Sequence, residues 1–221
     1  MEPFTTVRGP AAPLMLPDVD TDLIAPAHGG RGTMAANAFA PLRYLPDGAD
    51  NPDFVLHHDR FRGAPILLAG RNFGCGSSRE SAVWSLRALG IRCVIAESFG
   101  DIFAGNCWQN GVLPVVLPGD ALYVLAEEAA GGAPALVDLG ACTITTPSGR
   151  VLGFVADPTR RRQLLEGLDD LGVGVGRRHL VLAFRTRDRE RRPWVYDLPS
   201  PAGSSAPSAS TSTRAVTPIE G

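Results

Sequence analysis

The sequence predicts an α/β domain built around a central β-α-β-α-β unit. Three short apolar runs, typical of strands buried on both faces of a sheet, are separated by two segments whose apolar side chains recur at helical spacing. The runs occupy 64–69, 92–96 and 113–117. Because strands and helices alternate, we expect parallel strands joined by right-handed crossovers.

The two connecting helices have recognisable ends. A glycine-rich loop at 70–77 follows the first strand, and the first helix is predicted over 78–89, with Gly90 ending it. The second helix is predicted to begin at Ser98, whose side chain can cap it, and to end before Gly111.

The segments after the central unit are less regular. Segments 142–146 and 151–155 enclose a Pro-Ser-Gly-Arg turn, which predicts a β-hairpin. Asp157 followed by Pro158 predicts the start of a helix that ends at Leu168.

The C-terminal part divides into two kinds of sequence. The arginine-rich stretch from 176 to 192 is compatible with a helix or a strand, and we favour a helix. Segment 199–221 is rich in Ser, Pro, Ala and Thr, with too little apolar surface to offset the entropy lost on ordering. We therefore expect one domain over 1–198 and a disordered tail over 199–221.

Composition excludes several classes of protein. A net charge of −2 and a pI near 6.1 over 221 residues provide no broad basic field for nucleic acid or an anionic membrane. All 21 Lys+Arg residues are arginine, and the absence of lysine excludes a Walker A phosphate loop, a Schiff-base enzyme and a pyridoxal phosphate enzyme. Neither a secretory signal nor an apolar stretch of roughly 18 residues is found, so we expect a cytoplasmic protein.

The cysteines do not form a recognisable set. Cys75, Cys93, Cys107 and Cys142 are widely spaced and include no C-x-x-C pair. This spacing argues against a disulfide framework and against a metal site formed by this chain alone. We expect four free thiols.

Segment 74–80, Gly-Cys-Gly-Ser-Ser-Arg-Glu, is the most informative part of the chain. Glycines let the backbone approach a ligand, a helix start presents unpaired N–H groups, and Arg79 offers a planar fork to a carboxylate. The pattern predicts an anion site that includes the hydroxyls of Ser77 and Ser78. Ser77 and Glu80 also fit a capping box, which needs no substrate, and the two roles are compatible.

Ser77 is chemically plausible as a base. A serine hydroxyl is a poor base unless its alkoxide is stabilised, and a helix N-terminus beside a guanidinium can supply such a field. The sequence places no histidine nearby to activate the hydroxyl.

An acidic segment at 18–22, Asp-Val-Asp-Thr-Asp, suggests a calcium loop but does not fit one. The calcium pattern needs glycine at its sixth position and glutamate at its twelfth, where this chain has Leu23 and Gly29. The segment is either a turn, which we favour, or a hydrogen-bonding edge of a site.

Other candidate residues favour structural roles. His57-His58-Asp59 could suggest a metal site, but neighbours on an extended segment point to opposite faces, so we interpret the three as surface residues. Trp84 and Trp108 lie on the two central helices and are expected in the core or at a partner interface.

Several motifs in the same order resemble the small-subunit family of 3-isopropylmalate dehydratase, the free-standing counterpart of the swivelling domain of aconitase. The resemblance covers roughly residues 5 to 185. Its strongest parts are DVDTDLIAP at 18–26, NPDFVL at 51–56, NFGCGSSRE at 72–80, SFGDIFAGN at 98–106, NGVLPV at 110–115 and LLEGLDDLG at 164–172.

The resemblance implies a swivelling β/β/α domain and a partner large subunit that holds a [4Fe–4S] cluster, so that this chain binds no cofactor itself. The implied reaction converts 2-isopropylmalate to 3-isopropylmalate by dehydration and rehydration in leucine biosynthesis, with the open iron as Lewis acid. By the same resemblance Ser77 is the catalytic base, Ser78 and Arg79 bind a substrate carboxylate, and Thr21 with Asp22 faces the same cleft.

Two segments depart from the family pattern. Where the family has His-Ala-Pro-Trp after its Ser-Ser-Arg-Glu motif, this chain has Ser-Ala-Val-Trp at 81–84. The loop that in the family carries a lysine and a Phe-Leu pair, and helps to choose the substrate's side group, reads Ala-His-Gly-Gly-Arg-Gly-Thr at 27–33. Isopropylmalate is the expected substrate, and the alternatives are a paralogue for another 2-alkylmalate or hydroxy-diacid and a non-catalytic anion-binding module.

Overall fold

The structure is a computed structural model that describes residues 1–27 and 32–196. It divides into two units, Met1–Gly176 and a second unit that begins at Arg177 and is described as far as Tyr196. The predicted tail at 199–221, and residues 28–31 of the unusual loop, lie outside the described residues.

A mixed β-sheet organises the first unit. In the described part of the chain it has seven strands in the order β4-β3-β2-β1-β5-β6-β7. The strands β1 to β4 pair in parallel, and the pairs β1–β5, β5–β6 and β6–β7 are antiparallel. The strands are β1 (Thr6–Leu14), β2 (Ile66–Ala69), β3 (Cys93–Ala96), β4 (Leu113–Val116), β5 (Pro134–Asp138), β6 (Thr143–Thr145) and β7 (Val151–Gly153).

Helices connect the parallel strands in the predicted alternation. The α/β class and the central unit β2-α4-β3-α5-β4 are confirmed. The helices are α1 (Thr21–Ile24), α2 (Met34–Asn37), α3 (Ala40–Arg43), α4 (Ser81–Ala88), α5 (Asp101–Gln109), α6 (Gly119–Ala129), α7 (Pro158–Glu166), α8 (Asp170–Gly176) and, in the second unit, α9 (Arg178–Arg191).

Strand β1 joins the two parts of the sheet and was missed by the sequence reasoning. Residues 6–10 pair with β5, and residues 11–14 pair with β2. Gly9, Pro10 and Pro13 interrupt its apolar pattern, which hides it from a periodicity argument. Strand β5 and helix α6 were also not predicted.

Strands β2 and β3 are buried on both faces of the sheet, and their successive side chains point to opposite sides. Along β2, Leu67 and Ala69 contribute to one apolar cluster, which also contains side chains of α4 and α5. Ile66 and Leu68 contribute to the other, which also contains side chains of α6. The alternation explains why β2 and β3 read as continuous apolar runs.

The central helices begin later than the sequence predicted. Helix α4 begins at Ser81, not at residue 78, and α5 begins at Asp101 with Gly100 as its N-cap. The prediction that Ser98 caps α5 is wrong. The Ser98 hydroxyl instead accepts a hydrogen bond of 2.8 Å from the backbone N–H of Asn72, which joins the loops after β2 and β3.

The predicted elements after the central unit are confirmed. Strands β6 and β7 form the hairpin. The Asp157 carboxylate accepts hydrogen bonds from the first backbone N–H groups of α7, and Pro158 is the first residue of the helix. Gly167, with φ of 69°, ends α7 in the left-handed conformation before the predicted Leu168.

The second unit has helix α9 as its main described element, as favoured for the arginine-rich stretch. Near its C-terminal end, Asp188 accepts hydrogen bonds from Arg192 and from the Tyr196 hydroxyl. Over 1–27 and 32–196, no helix is both long and apolar enough to cross a membrane.

Candidate active site

The carboxyl ends of β1, β2 and β3 continue as three neighbouring loop segments that remain paired. Asp20 forms a parallel bridge with Cys75, and Phe73 forms another with Phe99. The N–H of Gly74 also donates to the carbonyl of Val19 over 2.7 Å. Ligand sites of open α/β sheets lie at this edge, beyond the carboxyl ends of the strands. The glycine-rich loop predicted from the sequence is therefore located where a site is expected.

Two glycines allow these loops to pack closely. Gly74 has φ of 73°, and a Cβ there would overlap the Phe103 ring. A Cβ on Gly100 would lie 2.7 Å from the carbonyl oxygen of Gly74 and 3.1 Å from Cα of Cys75. The loop that carries Ser77 thus rests directly on the N-terminus of α5.

An aromatic cluster supports the same loop from beneath. The Phe73 ring meets the Phe99 and Phe103 rings edge-on, with centroid distances of 6.4 and 5.5 Å. Phe73 is fully buried and Phe103 is 2% exposed. Such close packing restricts side-chain motion, so it also restricts the motion of the loop that contacts these rings.

The predicted residues Ser77 and Ser78 are exposed, and Arg79 is half-buried. The backbone N–H of Ser77 donates to the Thr21 hydroxyl over 3.1 Å. No described contact occupies the side-chain hydroxyl of Ser77 or of Ser78. Both hydroxyls therefore remain available to a ligand at the protein surface.

Thr21 holds the loop from the side of β1. Its side chain is 1% exposed, and its backbone N–H donates to the carbonyl of Cys75 over 2.9 Å. Asp20 caps the short helix α1 by accepting from the N–H of Leu23. The acidic segment at 18–22 is therefore a capped turn, as favoured, and also an edge of the site.

Asp22 and Arg79 form an ion pair. The Asp22 carboxylate accepts from Nη1 of Arg79, and the carbonyl of Ala25 lies 3.5 Å from the same nitrogen. The Arg79 side chain is 34% exposed and that of Asp22 is 59% exposed, so water screens the pair. The structure therefore brings together all five predicted site residues: Thr21, Asp22, Ser77, Ser78 and Arg79.

The predicted capping box is wrong. Helix α4 begins four residues after Ser77, and its N-cap residue, Glu80, makes no side-chain capping bond. Oε1 of Glu80 instead accepts a hydrogen bond from Asn110 over 2.8 Å. The positive charge closest in sequence to Ser77 is the Arg79 guanidinium, and the helix tip is further along the chain than expected.

Two cavities flank the segment that carries the serines. One, of about 260 Å³, is lined by the 74–77 loop and the start of α5: Gly74, Cys75, Gly76, Ser77, Gly100, Asp101, Ile102 and Phe103. The other, of about 310 Å³, lies beside Arg79 and includes Asn37, Ser81 and Ser85. Its lining includes Ala27, Gly32 and Thr33 of the unusual loop singled out in the sequence, whereas Asn37 and Ser85 lie in no recognised motif.

The thiols and histidines do not form a metal centre in the described ranges. No group of three or more His, Cys, Asp or Glu side chains there could hold a metal ion. All four cysteines are free, and burial raises the pKa of Cys93 and Cys107 well above the ordinary thiol value. Cys75 is partly exposed in the site loop, and burial followed by the charge of Asp20 raises its pKa.

His57 ends one short helical turn and Asp59 begins the next, with His58 between them in an extended conformation, so the three residues do not form the single extended segment we assumed. Nδ1 of His57 lies 2.8 Å from the carbonyl oxygen of Asn51, and its Nε2 accepts from Arg43. Trp84 is 43% exposed, and Trp108 packs partly buried against the core. Asp59 is exposed, as expected of a surface residue, whereas His57 and His58 are half-buried.

Comparison with known proteins identifies the family to which the chain is similar. The family model of the aconitase C-terminal domain matches residues 1–120. The 3-isopropylmalate dehydratase small subunits of Roseobacter denitrificans and Paracoccus denitrificans are 47% and 46% identical to this chain over 201 residues, which cover 88% of this chain and 100% of each relative. The crystal structure of 3-isopropylmalate dehydratase (leuD) from Methanocaldococcus jannaschii is 25% identical, with a TM-score of 0.59, covering 81% of this chain and 99% of that one.

The family-model match places this α/β chain, with its exposed Ser-Ser-Arg segment beyond the parallel strands, in the aconitase C-terminal domain class. Within that class, the chain belongs to the family of 3-isopropylmalate dehydratase small subunits.

Proposed function

We propose that this chain is the small subunit of a two-subunit hydro-lyase that isomerises 2-isopropylmalate to 3-isopropylmalate in leucine biosynthesis. The large subunit is its partner and holds a [4Fe–4S] cluster. The observation that carries the proposal is the exposed Ser77-Ser78-Arg79 segment, whose hydroxyls are open while its backbone and guanidinium are anchored by Thr21 and Asp22. The family of the chain supports the same assignment.

Ser77 acts as the base in this proposal. Dehydration removes a proton from the carbon next to a carboxylate and a hydroxyl from its neighbour, and rehydration returns both in exchanged positions. The Ser77 oxygen takes the proton and later returns it, and the adjacent Arg79 charge stabilises the anionic oxygen. When bound in the large subunit, the cluster supplies a Lewis acid for the departing hydroxyl.

Arg79 and Ser78 orient the substrate. Arg79 carries five N–H donors, and Asp22 uses Nη1, so the remaining donors can bind a substrate carboxylate. Asp22 fixes the direction of the guanidinium before substrate arrives, which lowers the entropy cost of binding. The Ser78 hydroxyl, on the neighbouring residue, donates a further hydrogen bond to the same carboxylate.

The test is a paired substitution in the complex of this chain with the large subunit. We expect Ser77→Ala to lower kcat by about 10²–10⁴-fold with KM nearly unchanged, because a base is lost and binding groups are kept. Ser78→Ala should chiefly raise KM. The matched hydroxyl change makes each variant the control for the other. Full turnover in Ser77→Ala would favour a non-catalytic anion-binding module.

A substrate panel tests the second part of the proposal. The wild-type complex should turn over 2-isopropylmalate with a higher kcat/KM than citramalate-type or homoaconitate-type acids. Indifference to 2-isopropylmalate, with turnover of another acid, would reject the substrate while leaving the hydro-lyase assignment intact.

A further inference from the structure

Asn110 lies at the opposite end of the site segment from Thr21. It follows the last residue of α5, and its side chain makes three hydrogen bonds. Nδ2 donates to Oε1 of Glu80 over 2.8 Å and to the carbonyl of Asn106 over 2.9 Å, and Oδ1 accepts from Nε1 of Trp84 over 2.9 Å. One amide thus joins the end of α5 to the first turn of α4.

The orientation of this amide is determined by its partners. An indole nitrogen can only donate, so the amide oxygen must face Trp84. A carboxylate and a carbonyl can only accept, so the amide nitrogen must face Glu80 and Asn106. All of these partners agree with a single orientation, and both amide protons are used.

The reactive segment is therefore attached at both ends. Before it, the Ser77 N–H is bound to the buried Thr21 hydroxyl. After it, the Glu80 carboxylate is bound to Asn110. Between these two attachments the hydroxyls of Ser77 and Ser78 make no hydrogen bond to any described residue, and the Arg79 guanidinium is bound to the exposed Asp22 carboxylate.

We infer that Asn110 is a positioning residue that acts through Glu80 on Arg79, the residue next to Glu80. The inference rests on the proposed function. Ser77 is attached through its backbone to the buried Thr21, whereas Arg79 is attached through its guanidinium to the exposed Asp22, so loss of Asn110 disturbs carboxylate binding more than proton transfer. Glu80 is exposed and Asn110 half-buried, so the effect is modest, as for other hydrogen bonds that water can partly replace.

The test compares variants in the complex with the large subunit. Asn110→Ala should raise KM about three- to tenfold while kcat falls less than about twofold, from the loss of the bond to Glu80. Glu80→Ala should reproduce this change, Glu80→Gln should restore a KM near wild type because an acceptor oxygen is kept, and the double alanine variant should show no further rise.

Trp84→Phe is the matched control, because it removes a bond to the same amide without touching Glu80. Its KM should stay within about twofold of wild type, since the amide keeps its other two bonds. A KM in Asn110→Ala equal to wild type, or additive effects of the two alanine changes, would overturn the inference. So would an equal rise in Trp84→Phe.

Hydrogen exchange separates this inference from the proposed function. Backbone amides in a peptide spanning 76–81 should exchange faster in Asn110→Ala than in wild type. In Trp84→Phe their exchange rates should equal those of wild type. This readout needs no substrate. Absence of isopropylmalate turnover in the wild-type complex would reject the function, whereas unaltered exchange in Asn110→Ala would reject the positioning role.

Discussion

Replacing Gly100 by alanine tests whether the site loop rests on the start of α5. The backbone of Gly100 has φ of −64° and ψ of 131°, which alanine adopts without strain. The added Cβ would nevertheless lie 2.7 Å from the carbonyl oxygen of Gly74 and 3.1 Å from Cα of Cys75. Both are backbone atoms, so either the 74–77 loop or the N-terminus of α5 must move by several tenths of an ångström.

The expected consequences follow from that displacement. Overpacking of this kind costs about 1–3 kcal/mol, partly offset by about 0.4–1 kcal/mol from the restricted unfolded chain. A chain of this size should lose roughly 2–4 °C in Tm for each kcal/mol. Because a shift of about 1 Å can lower a rate 10²-fold, we expect kcat to fall roughly tenfold in the reconstituted complex.

Gly105→Ala is the control for this prediction. Gly105 lies inside the same helix, and apart from the backbone of that helix a Cβ there meets no described atom within 4 Å. It should stabilise the chain by about 0.5–1 kcal/mol through helix propensity. Denaturant unfolding of both variants provides the comparison. If Gly100→Ala is as stable and as active as Gly105→Ala, the close contact of loop and helix does not exist in solution.

Three further predictions concern charge and burial. Arg79→Lys should raise KM for the substrate by about tenfold or more in steady-state assays, since lysine cannot offer a planar fork to a carboxylate while bound to Asp22. Asp157→Ala should lower the free energy of unfolding by about 1 kcal/mol in denaturant titrations, because the α7 cap is lost. Burial raises the pKa of Cys93 and Cys107 above the ordinary 9.0, so their contribution to stability is complete below pH 9 and declines as pH rises further, when unfolded thiols ionise. Between pH 8 and pH 10 the unfolding midpoint of the Cys93→Ala/Cys107→Ala double variant should depend less steeply on pH than that of wild type. An equally steep pH dependence would contradict the raised pKa of the two thiols.

Local sequence patterns predicted three of the parallel strands, β2, β3 and β4. The runs that became β2 and β3 are continuous and apolar because both faces of the sheet are covered there, and that burial is visible in composition alone. The Asp157 cap and the turn at 147–150 were also readable, since their chemistry depends on adjacent residues.

Features that depend on distant residues could not be read in this way. Strand β1 contains glycine and prolines, and its place at the centre of the sheet results from pairing with β2 on one side and β5 on the other. Ser98 has the ordinary features of a helix cap, but its hydroxyl binds the Asn72 N–H from another loop. Glu80 likewise binds Asn110 and not the backbone of its own helix. In each case a tertiary partner replaced the local one.

The sequence by itself determined which residue types meet the needs of the chemistry: two serines and an arginine in a glycine-rich loop after a buried strand, with the family resemblance supplying their expected roles. Only the tertiary structure decided how that loop is held. Thr21 and Asp22 are more than fifty positions away from Ser77 and Arg79 along the chain, yet they contact them because parallel strands bring their carboxyl ends to one edge of the sheet. Hydrogen bonds and close packing act over a few ångströms in space. The separation of two residues along the chain therefore does not show whether they make such a contact.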